Sequence, residues 1–350
     1  MKIPVRILLV ILCVALIISL PFVISAPNML SSVQENLMEE NEDEIDFGRL
    51  FLSSAYAEES IDVTEEEDLD TGMISLHPEW AIPLDFSTGS EPKIDGFSED
   101  RYEDQSIMIR MEHRKIDEGT TAHIAFIQIS DPSQIRTAVA VPDKIKTSRK
   151  THTISYFKKE YKAVLAVNAD NYNDEPDSKP LVYRMTQKVR NNIKSDKRDI
   201  LIIDDHGDFH VTVRSKKAVA DIAEKLKNEN RKLVNAYSFG PTLVKDGELV
   251  ELNPDYQYNP NRKNPRTAIG QNGPLSYIVV VAEANDRNGI TGLTQAELGV
   301  LMKDLGCISA YNMDGGNSSE MVFGDMVYKG MPKGDERELN DALYFASIEP

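Results

Sequence analysis

The sequence contains very little cysteine, and this excludes several kinds of stabilising or functional site. Its 350 residues include two cysteines, Cys13 in the apolar N-terminal run and Cys307 far downstream. A disulfide framework requires several paired cysteines, and a cysteine-based zinc site requires at least two at short spacing. Both kinds of site are therefore excluded. No internal repeat is visible either.

Basic residues are scarce relative to acidic ones. Lys and Arg together number 39, Asp and Glu number 57, and the formal net charge is -18. Residues 31–70 hold fifteen acidic side chains and one basic one, Arg49, so about -14 of the charge lies there. This acidic tract would repel phosphate groups, and the remainder has no basic stripe with interleaved aromatics. Nucleic acid is therefore not an expected partner.

One long apolar run is present, at residues 7–24, and it follows Lys2 and Arg6. At about 1.5 Å per residue it spans about 27 Å, close to the thickness of a bilayer core. The nearest small-residue cleavage pattern, at 55–57, lies too far downstream for ordinary processing. We therefore predict an uncleaved membrane anchor in residues 1–26, with the chain beyond residue 27 outside the cytoplasm. The alternative is a cleaved signal and a secreted protein.

The rest of the chain divides into a linker and a folded domain. Residues 27–100 are rich in Glu, Asp and Ser, which predicts an acidic, largely disordered linker. From residue 101, strand-length apolar segments such as "AHIAFIQI" and "SYIVVVAEA" predict a sheet. Helical spacing predicts helices at 216–232 and 294–306, the second with a capping box and a final glycine. The expected fold of residues 101–350 is α+β, a sheet-rich single domain with a few helices.

The stretch "AYNMDGGNSSEMVF", residues 310–323, places small polar groups at the end of a predicted strand. Gly315 and Gly316 let a ligand approach the backbone closely, because they lack Cβ atoms. Successive N–H groups and serine hydroxyls there would surround an anion or a sugar hydroxyl, beside the carboxylate of Asp314. The simpler alternative is a tight turn in which Asp and Ser bond their own backbone.

Two other polar segments have simple structural explanations. The segment "DDHGDFH", residues 204–210, offers His206, His210 and three aspartates as metal ligands, but it lies between two predicted strands and fits a hairpin turn. The lysines of "SYFKKEYK", residues 155–162, fit the solvated face of a helix better than a membrane-binding patch. We therefore predict no metal site and no cofactor.

Several motifs in one order resemble the phosphodiester glycosidases, the family of the uncovering enzyme and of bacterial proteins labelled exopolysaccharide biosynthesis proteins. The resemblance covers roughly residues 102–346, and a set of motifs in order is more specific than any one of them. The motifs are "DPSQIRTAVA", "AVLAVNADNY", "SFGPTLVKDG", "NPRTAIGQ", "GLTQAELGVLMKDLGC" and "AYNMDGGNSSEM".

The resemblance implies a set of site residues. Asp314 and Asp170 correspond to catalytic carboxylates, one to activate water or stabilise an oxocarbenium-like centre and the other to orient it or act as an acid. Guanidinium groups are expected to clamp the phosphate. The expected substrate-binding residues are Arg266, Arg184, Arg287, Asn168, Thr267, Gly315, Gly316, Ser318 and Ser319.

The resemblance also implies the reaction. It predicts an extracytoplasmic hydrolase that cleaves the glycosidic bond of a sugar 1-phosphodiester in a surface polymer or exopolysaccharide. Transfer to an acceptor hydroxyl in place of water is a second enzymatic reading. Ala169, Asn317 and Glu320 stand where the family has glycine, glycine and threonine. These departures keep open a non-catalytic carbohydrate-binding or polysaccharide-assembly factor on the same scaffold.

Overall fold

The computed structural model describes residues 75–193, 198–256, 260–285 and 290–350, and these residues belong to one compact unit. The predicted anchor at 1–26, most of the predicted linker and Arg287 lie outside this part. Among the described residues, no helix combines the length and the apolar character needed to cross a membrane.

Antiparallel strands in three sheets form the framework of the described structure, as the strand-length apolar segments predict. The large sheet has the order β1-β2-β3-β14-β13-β15-β11-β12. Its strands are β1 (Arg101–Glu103), β2 (Ile107–Asp117), β3 (Thr120–Ile129), β11 (Thr242–Lys245), β12 (Glu248–Leu249), β13 (Arg266–Gly273), β14 (Ser276–Ala282) and β15 (Ser309–Asn312).

Two five-stranded sheets complete the framework. The second sheet has the order β7-β6-β10-β8-β9 and the third the order β17-β16-β5-β18-β4. The strands of the second sheet are β6 (Leu181–Arg184), β7 (Gln187–Asn191), β8 (Leu201–Asp204), β9 (Phe209–Val211) and β10 (Leu233–Tyr237). Those of the third sheet are β4 (Ile135–Val139), β5 (Ala163–Asn168), β16 (Glu320–Phe323), β17 (Met326–Lys329) and β18 (Asp341–Ala346).

The central core lies between the three sheets and draws buried apolar side chains from each, for example Ile127, Ile203 and Leu343. One α-helix packs on the opposite face of each sheet. The helix α1 (Ile154–Glu160) covers the third sheet, α2 (Lys216–Asn228) the second and α3 (Gln295–Asp304) the large one. This sheet-rich α+β architecture with three helices agrees with the predicted fold class.

Side-chain caps fix where the three helices begin. Thr153, Ser215 and Thr294 each accept a hydrogen bond from a backbone N–H of the first turn. Thr294 forms the predicted capping box with Glu297 in both directions, at 3.1 and 2.7 Å. Short 3-10 helices lie at Pro78–Trp80, Ile94–Gly96, Pro132–Gln134, Pro142–Lys144, Pro176–Ser178 and Gly316–Ser318.

The end of the predicted linker packs against the folded unit. Arg136 is fully buried on β4, and its Nη2 donates to the carbonyls of Pro83, Asp85 and Ser87 at 2.8–2.9 Å. Ser90 then pairs with Ser347 in an isolated β-bridge. The packed part of the chain therefore begins before residue 101, the boundary that composition predicts, because the acidic texture continues into a segment whose backbone is bound.

Candidate active site at the ends of strands from three sheets

The Asn168 side chain connects the strand that ends at residue 168 to the Asp314 loop. Its Oδ1 accepts hydrogen bonds from Thr267 Oγ1 at 2.8 Å and from the Glu320 N–H at 3.0 Å. Its Nδ2 donates to the carbonyl of Asp314 at 2.7 Å. The Asp314 N–H donates in turn to the carbonyl of Ala169 at 3.2 Å. Asn168 and Thr267 therefore position the loop and are not free to bind a ligand through these atoms.

Positions 315 and 316, after Asp314, require glycine for two different physical reasons. The N–H of Gly316 donates to the Pro265 carbonyl at 2.9 Å, and a Cβ on Gly315 would lie 3.1 Å from that same oxygen. Gly316 has φ +63, which disfavours other residues. The positive φ falls on Gly316 and not on Asn317, so asparagine at position 317 does not distort the loop.

Asp314 is less buried than the other acidic residues of this cluster, Asp170, Glu320 and Asp341. Its Oδ1 accepts the Gly315 N–H at 2.8 Å. Burial raises its pKa to about 6, although the Ser318 hydroxyl and the charges of Arg337 and Lys179 lower it in part. A carboxyl with this pKa is mostly ionised at neutral pH yet exchanges its proton readily, as a general base or acid requires.

Arg184 lies at the centre of a buried ion cluster. Its Nε and Nη2 donate to Asp341 Oδ2 at 2.9 and 2.8 Å, and Nη2 also donates to Asp170. Its Nη1 donates to the carbonyls of Tyr183 and Ala236 at 2.8 and 2.6 Å. All five N–H groups of the guanidinium are thus bound by the protein. Arg184 therefore holds the strand ends together, and the predicted role as a phosphate ligand does not fit this geometry.

Asp170, like Arg184, is buried and bonded to protein groups. Its side chain is 0% exposed, and its second oxygen accepts the Ser238 N–H at 2.9 Å. Asp341, on the other side of Arg184, is equally buried, and burial together with the Asp170 carboxylate raises its pKa against the effect of Arg184. Asp170 is thus placed to position neighbouring groups, and its predicted catalytic role stays a prediction.

Arg266 and Thr267 face opposite sides of the large sheet, because successive strand residues alternate. Thr267 points to Asn168, whereas Arg266 lies on the α3 side and donates to the carbonyls of Leu293 and Arg262 at 3.0 and 2.8 Å. Burial lowers the pKa of Arg266 to about 10. The structure therefore does not bring Arg266 to the Asp314 cluster.

Ser318, Ser319 and Glu320 follow the diglycine loop and are buried. Ser318 accepts a hydrogen bond from Arg337 Nη1 at 2.7 Å. The buried Ser319 hydroxyl has no hydrogen-bond partner among the described residues. Glu320 is buried and shares a hydrogen bond with Glu336, and burial followed by this acidic neighbour raises its pKa to about 9. Glu320 is therefore a protonated carboxylic acid at neutral pH.

The sequence analysis missed three charged residues of this cluster. Lys179 is buried, donates through Nζ to the Asp174 carbonyl, and is near enough to lower the pKa of both Asp314 and Asp341. Arg337 retains 44% of its side-chain exposure beside Ser318. Asp341 opens the last strand, where an acid before the apolar run "ALYFA" was the available signal. The loops that carry Lys179 and Arg337 show no periodicity that would have revealed them.

The hairpin at residues 204–210 forms as predicted, with β8 paired to β9. Asp204, Asp205 and His206 have ligand atoms within reach of one ion. However, Asp204 Oδ2 already accepts His210 Nε2 at 2.6 Å, and Arg231 bonds Asp204 Oδ1 at 2.7 Å. An ion would have to displace this arginine, so the segment is best explained as a hairpin stabilised by side chains.

The described fold and cluster together define a class: a sheet-rich α+β domain in which an aspartate of intermediate exposure and a diglycine loop lie beside two cations. A family model described as phosphodiester glycosidase matches residues 161–346, more than half of the chain. The chain therefore belongs to the phosphodiester glycosidase family, as the sequence motifs predicted.

Three known proteins are similar to parts of this chain. An uncharacterised SPbeta prophage-derived protein of Bacillus subtilis, YomE, is 29% identical over 109 residues, which are 31% of this chain and 17% of that protein. The catalytic domain of zebrafish N-acetylglucosamine-1-phosphodiester alpha-N-acetylglucosaminidase, auto-inhibited by its pro-peptide, shares the fold with a TM-score of 0.53 and 14% identity, over 75% of this chain and 87% of that one. A hypothetical protein from Synechocystis gives a TM-score of 0.47 at 14% identity, over 69% and 62%.

Proposed function

We propose that this protein is a phosphodiester glycosidase in which Asp314 activates the attacking water. The observation that carries the proposal is that Asp314 is partly exposed, has a pKa of about 6 and lies beside Arg337 and Lys179. The anomeric carbon of a sugar 1-phosphodiester carries a good leaving group, so the site needs a base and positive charge more than a strong acid.

The phosphate is assigned to the cations beside Asp314. Arg337 is bonded to Ser318 through Nη1 and keeps nearly half of its surface exposed, so its guanidinium can also meet a phosphate oxygen. Lys179 is buried behind the carboxyl and adds positive charge to the same space. Asp170, Asp341 and Arg184 hold the strand ends that carry these groups.

The proposal also covers the substrate of the protein and its location in the cell. We infer a sugar 1-phosphodiester in a surface polymer or exopolysaccharide, reached by a domain held outside the cytoplasm by the apolar run at residues 7–24. The first support is the family membership, and the second is the order of basic, apolar and acidic segments in the N-terminal sequence.

A second candidate is a carbohydrate-binding or polysaccharide-assembly factor without turnover. The observation that favours it is the loss of two expected phosphate ligands, because Arg184 is saturated by protein groups and Arg266 faces α3. Such a factor would bind the same phosphodiester through Arg337 and Lys179 and release no sugar.

Turnover of the full-length protein, in mild detergent, on a panel of sugar 1-phosphodiesters separates the two candidates. The enzyme should lose roughly 10²–10⁴-fold in kcat when Asp314 is replaced by Asn, the range for a general base. The matched control is Asp246→Asn, an exposed aspartate in the turn between β11 and β12. No released sugar, together with binding that Asp314→Asn weakens, would support the binding factor instead.

The pH profile gives an independent check. The base must be ionised, so kcat/KM should rise as the pH increases through the Asp314 pKa of about 6. From pH 5 to pH 7 the ionised fraction grows about tenfold, and kcat/KM should follow it. A flat profile across this interval would exclude Asp314 as the base.

A further inference from the structure

The inner faces of three adjacent strands in the large sheet end in polar side chains. On β2 the core-facing row of Ile107, Ile109 and Met111 continues with His113. By the same alternation, His123 precedes the core residue Ala125 on β3, and Glu283 follows Val281 of β14. Two histidines and a glutamate thus occupy positions where the pattern of each strand calls for an apolar residue. All three lie at the same end of the core.

These side chains are arranged as metal ligands and an orienting group. His113 and His123 are direct cross-strand partners, and their Nδ1 atoms lie 2.8 Å apart. The other ring nitrogen of His123, Nε2, lies 3.4 Å from Glu283 Oε2. The ring of Tyr328 covers the pair, with centroids 4.9 and 4.7 Å from the two imidazoles. A carboxylate on the far nitrogen of a ligating histidine is the usual way to fix its tautomer and orientation.

The surroundings attract a cation. The two histidines line a cavity of about 840 Å³. Its wall carries one amine, from Lys158, against four carboxylates, and such an excess of one charge in a cleft concentrates ions of the opposite sign. The carboxylates belong to Glu91, Glu99, Asp100 and Asp325.

We propose that His113 and His123 bind one divalent transition-metal ion such as Zn²⁺ through their Nδ1 atoms, with Glu283 orienting His123. At zinc–nitrogen distances of about 2.0–2.1 Å, two tetrahedral ligands lie about 3.3 Å apart. The pair needs to open by only about 0.5 Å, and His113 is an exposed residue on one side of it. Water or an anionic group entering from the cavity completes the coordination.

The proposal is independent of the glycosidase function and separate from the Asp314 cluster. A second group of residues is also a candidate metal site, because Asp204, Asp205 and His206 have ligand atoms close together. That group is opposed by the positive charge of Arg231, whereas the histidine pair bonds no Lys or Arg among the described residues.

Calorimetric titration of Zn²⁺ into the metal-free full-length protein tests the site. The expected result is one ion per chain, with this binding lost in both His113→Gln and His123→Gln. Glu283→Gln should weaken it roughly 10–100-fold, the range for removal of an orienting partner. His206→Gln is the matched control and should bind as the unchanged protein does.

Three results would overturn the proposal: no uptake at micromolar Zn²⁺, unchanged affinity in His113→Gln, or loss of binding in His206→Gln. His113 is exposed, so its variant should fold even if His123→Gln does not. Thermal unfolding of the metal-free proteins verifies this, and Zn²⁺ should raise the Tm of the unchanged protein but not that of His113→Gln.

Discussion

Replacing Glu320 with Gln should stabilise the protein, and the gain should grow as the pH rises from 5 to 8. Glu320 is 2% exposed, and its pKa is raised to about 9 by burial and by the neighbouring Glu336. An ordinary Glu has a pKa of about 4.3. The folded state therefore keeps a proton that the unfolded chain releases. The stability due to this proton is complete below about pH 4 and is lost progressively as the pH rises towards 9.

The magnitude follows from the linkage relation. Each pH unit between the two pKa values changes the free energy of unfolding by about 1.4 kcal/mol. From pH 5 to pH 7 the native protein should thus lose about 3 kcal/mol that the Gln variant keeps. The pKa of Glu336 is shifted the opposite way, and is lowered partly by the hydrogen bond from Glu320. The Gln amide still donates a hydrogen bond to Glu336, so the substitution preserves this shift.

Urea unfolding at pH 5, 6, 7 and 8 measures this difference, with unchanged m values showing that the unfolding transition is comparable. The control is Glu338→Gln, which changes an exposed carboxylate in the segment that carries Glu336. A constant stability difference across this pH range would refute the shared-proton account of the pair. So would a Gln variant that is less stable than the unchanged protein at pH 8.

Four further results are expected. Arg184→Met should cost about 3–5 kcal/mol in urea unfolding, because two buried carboxylates lose their counter-charge. Gly316→Ala, at φ +63, should cost about 1–2 kcal/mol by the same measurement. Arg337→Gln should raise KM for a sugar phosphodiester, and it should move the acid limb of kcat/KM to higher pH because a charge that lowers the Asp314 pKa is gone. Deleting residues 1–100 should lower the Tm more than deleting residues 1–74, because it strips three carbonyl acceptors from buried Arg136, whereas equal Tm values would contradict this contact.

Local patterns predicted much of the fold. Apolar segments of strand length predict β3, in which burial largely alternates, and β14, which is a continuous apolar run. The capping box at Thr294 and Gly306 predict α3 almost to the residue. The strands of the second sheet were harder to predict from the sequence. Strand β7 is short and largely exposed, so it shows no apolar alternation, and β10 is nearly continuous in its burial.

The sequence indicates candidate site residues only where they are adjacent in the chain. The diglycine loop identified Asp314 because small residues at a strand end are a local signal. The roles of Arg184 and Asp170 depend on Asp341, which is 157 positions from Arg184, so no short motif could show that Arg184 is saturated. The orientation of Arg266 was available from the sequence, since it cannot face the same side as Thr267 within one strand.

The side-chain amide of Asn168 fits its hydrogen-bond partners in only one orientation. Turning its amide by 180° would set the nitrogen against the Glu320 N–H and the oxygen against the Asp314 carbonyl. Aspartate lacks the donor that the Asp314 carbonyl requires, and leucine offers neither partner. Among residues of this size, only asparagine supplies both groups, and the position of the Asp314 loop depends on which end of this one amide carries the oxygen and which the nitrogen.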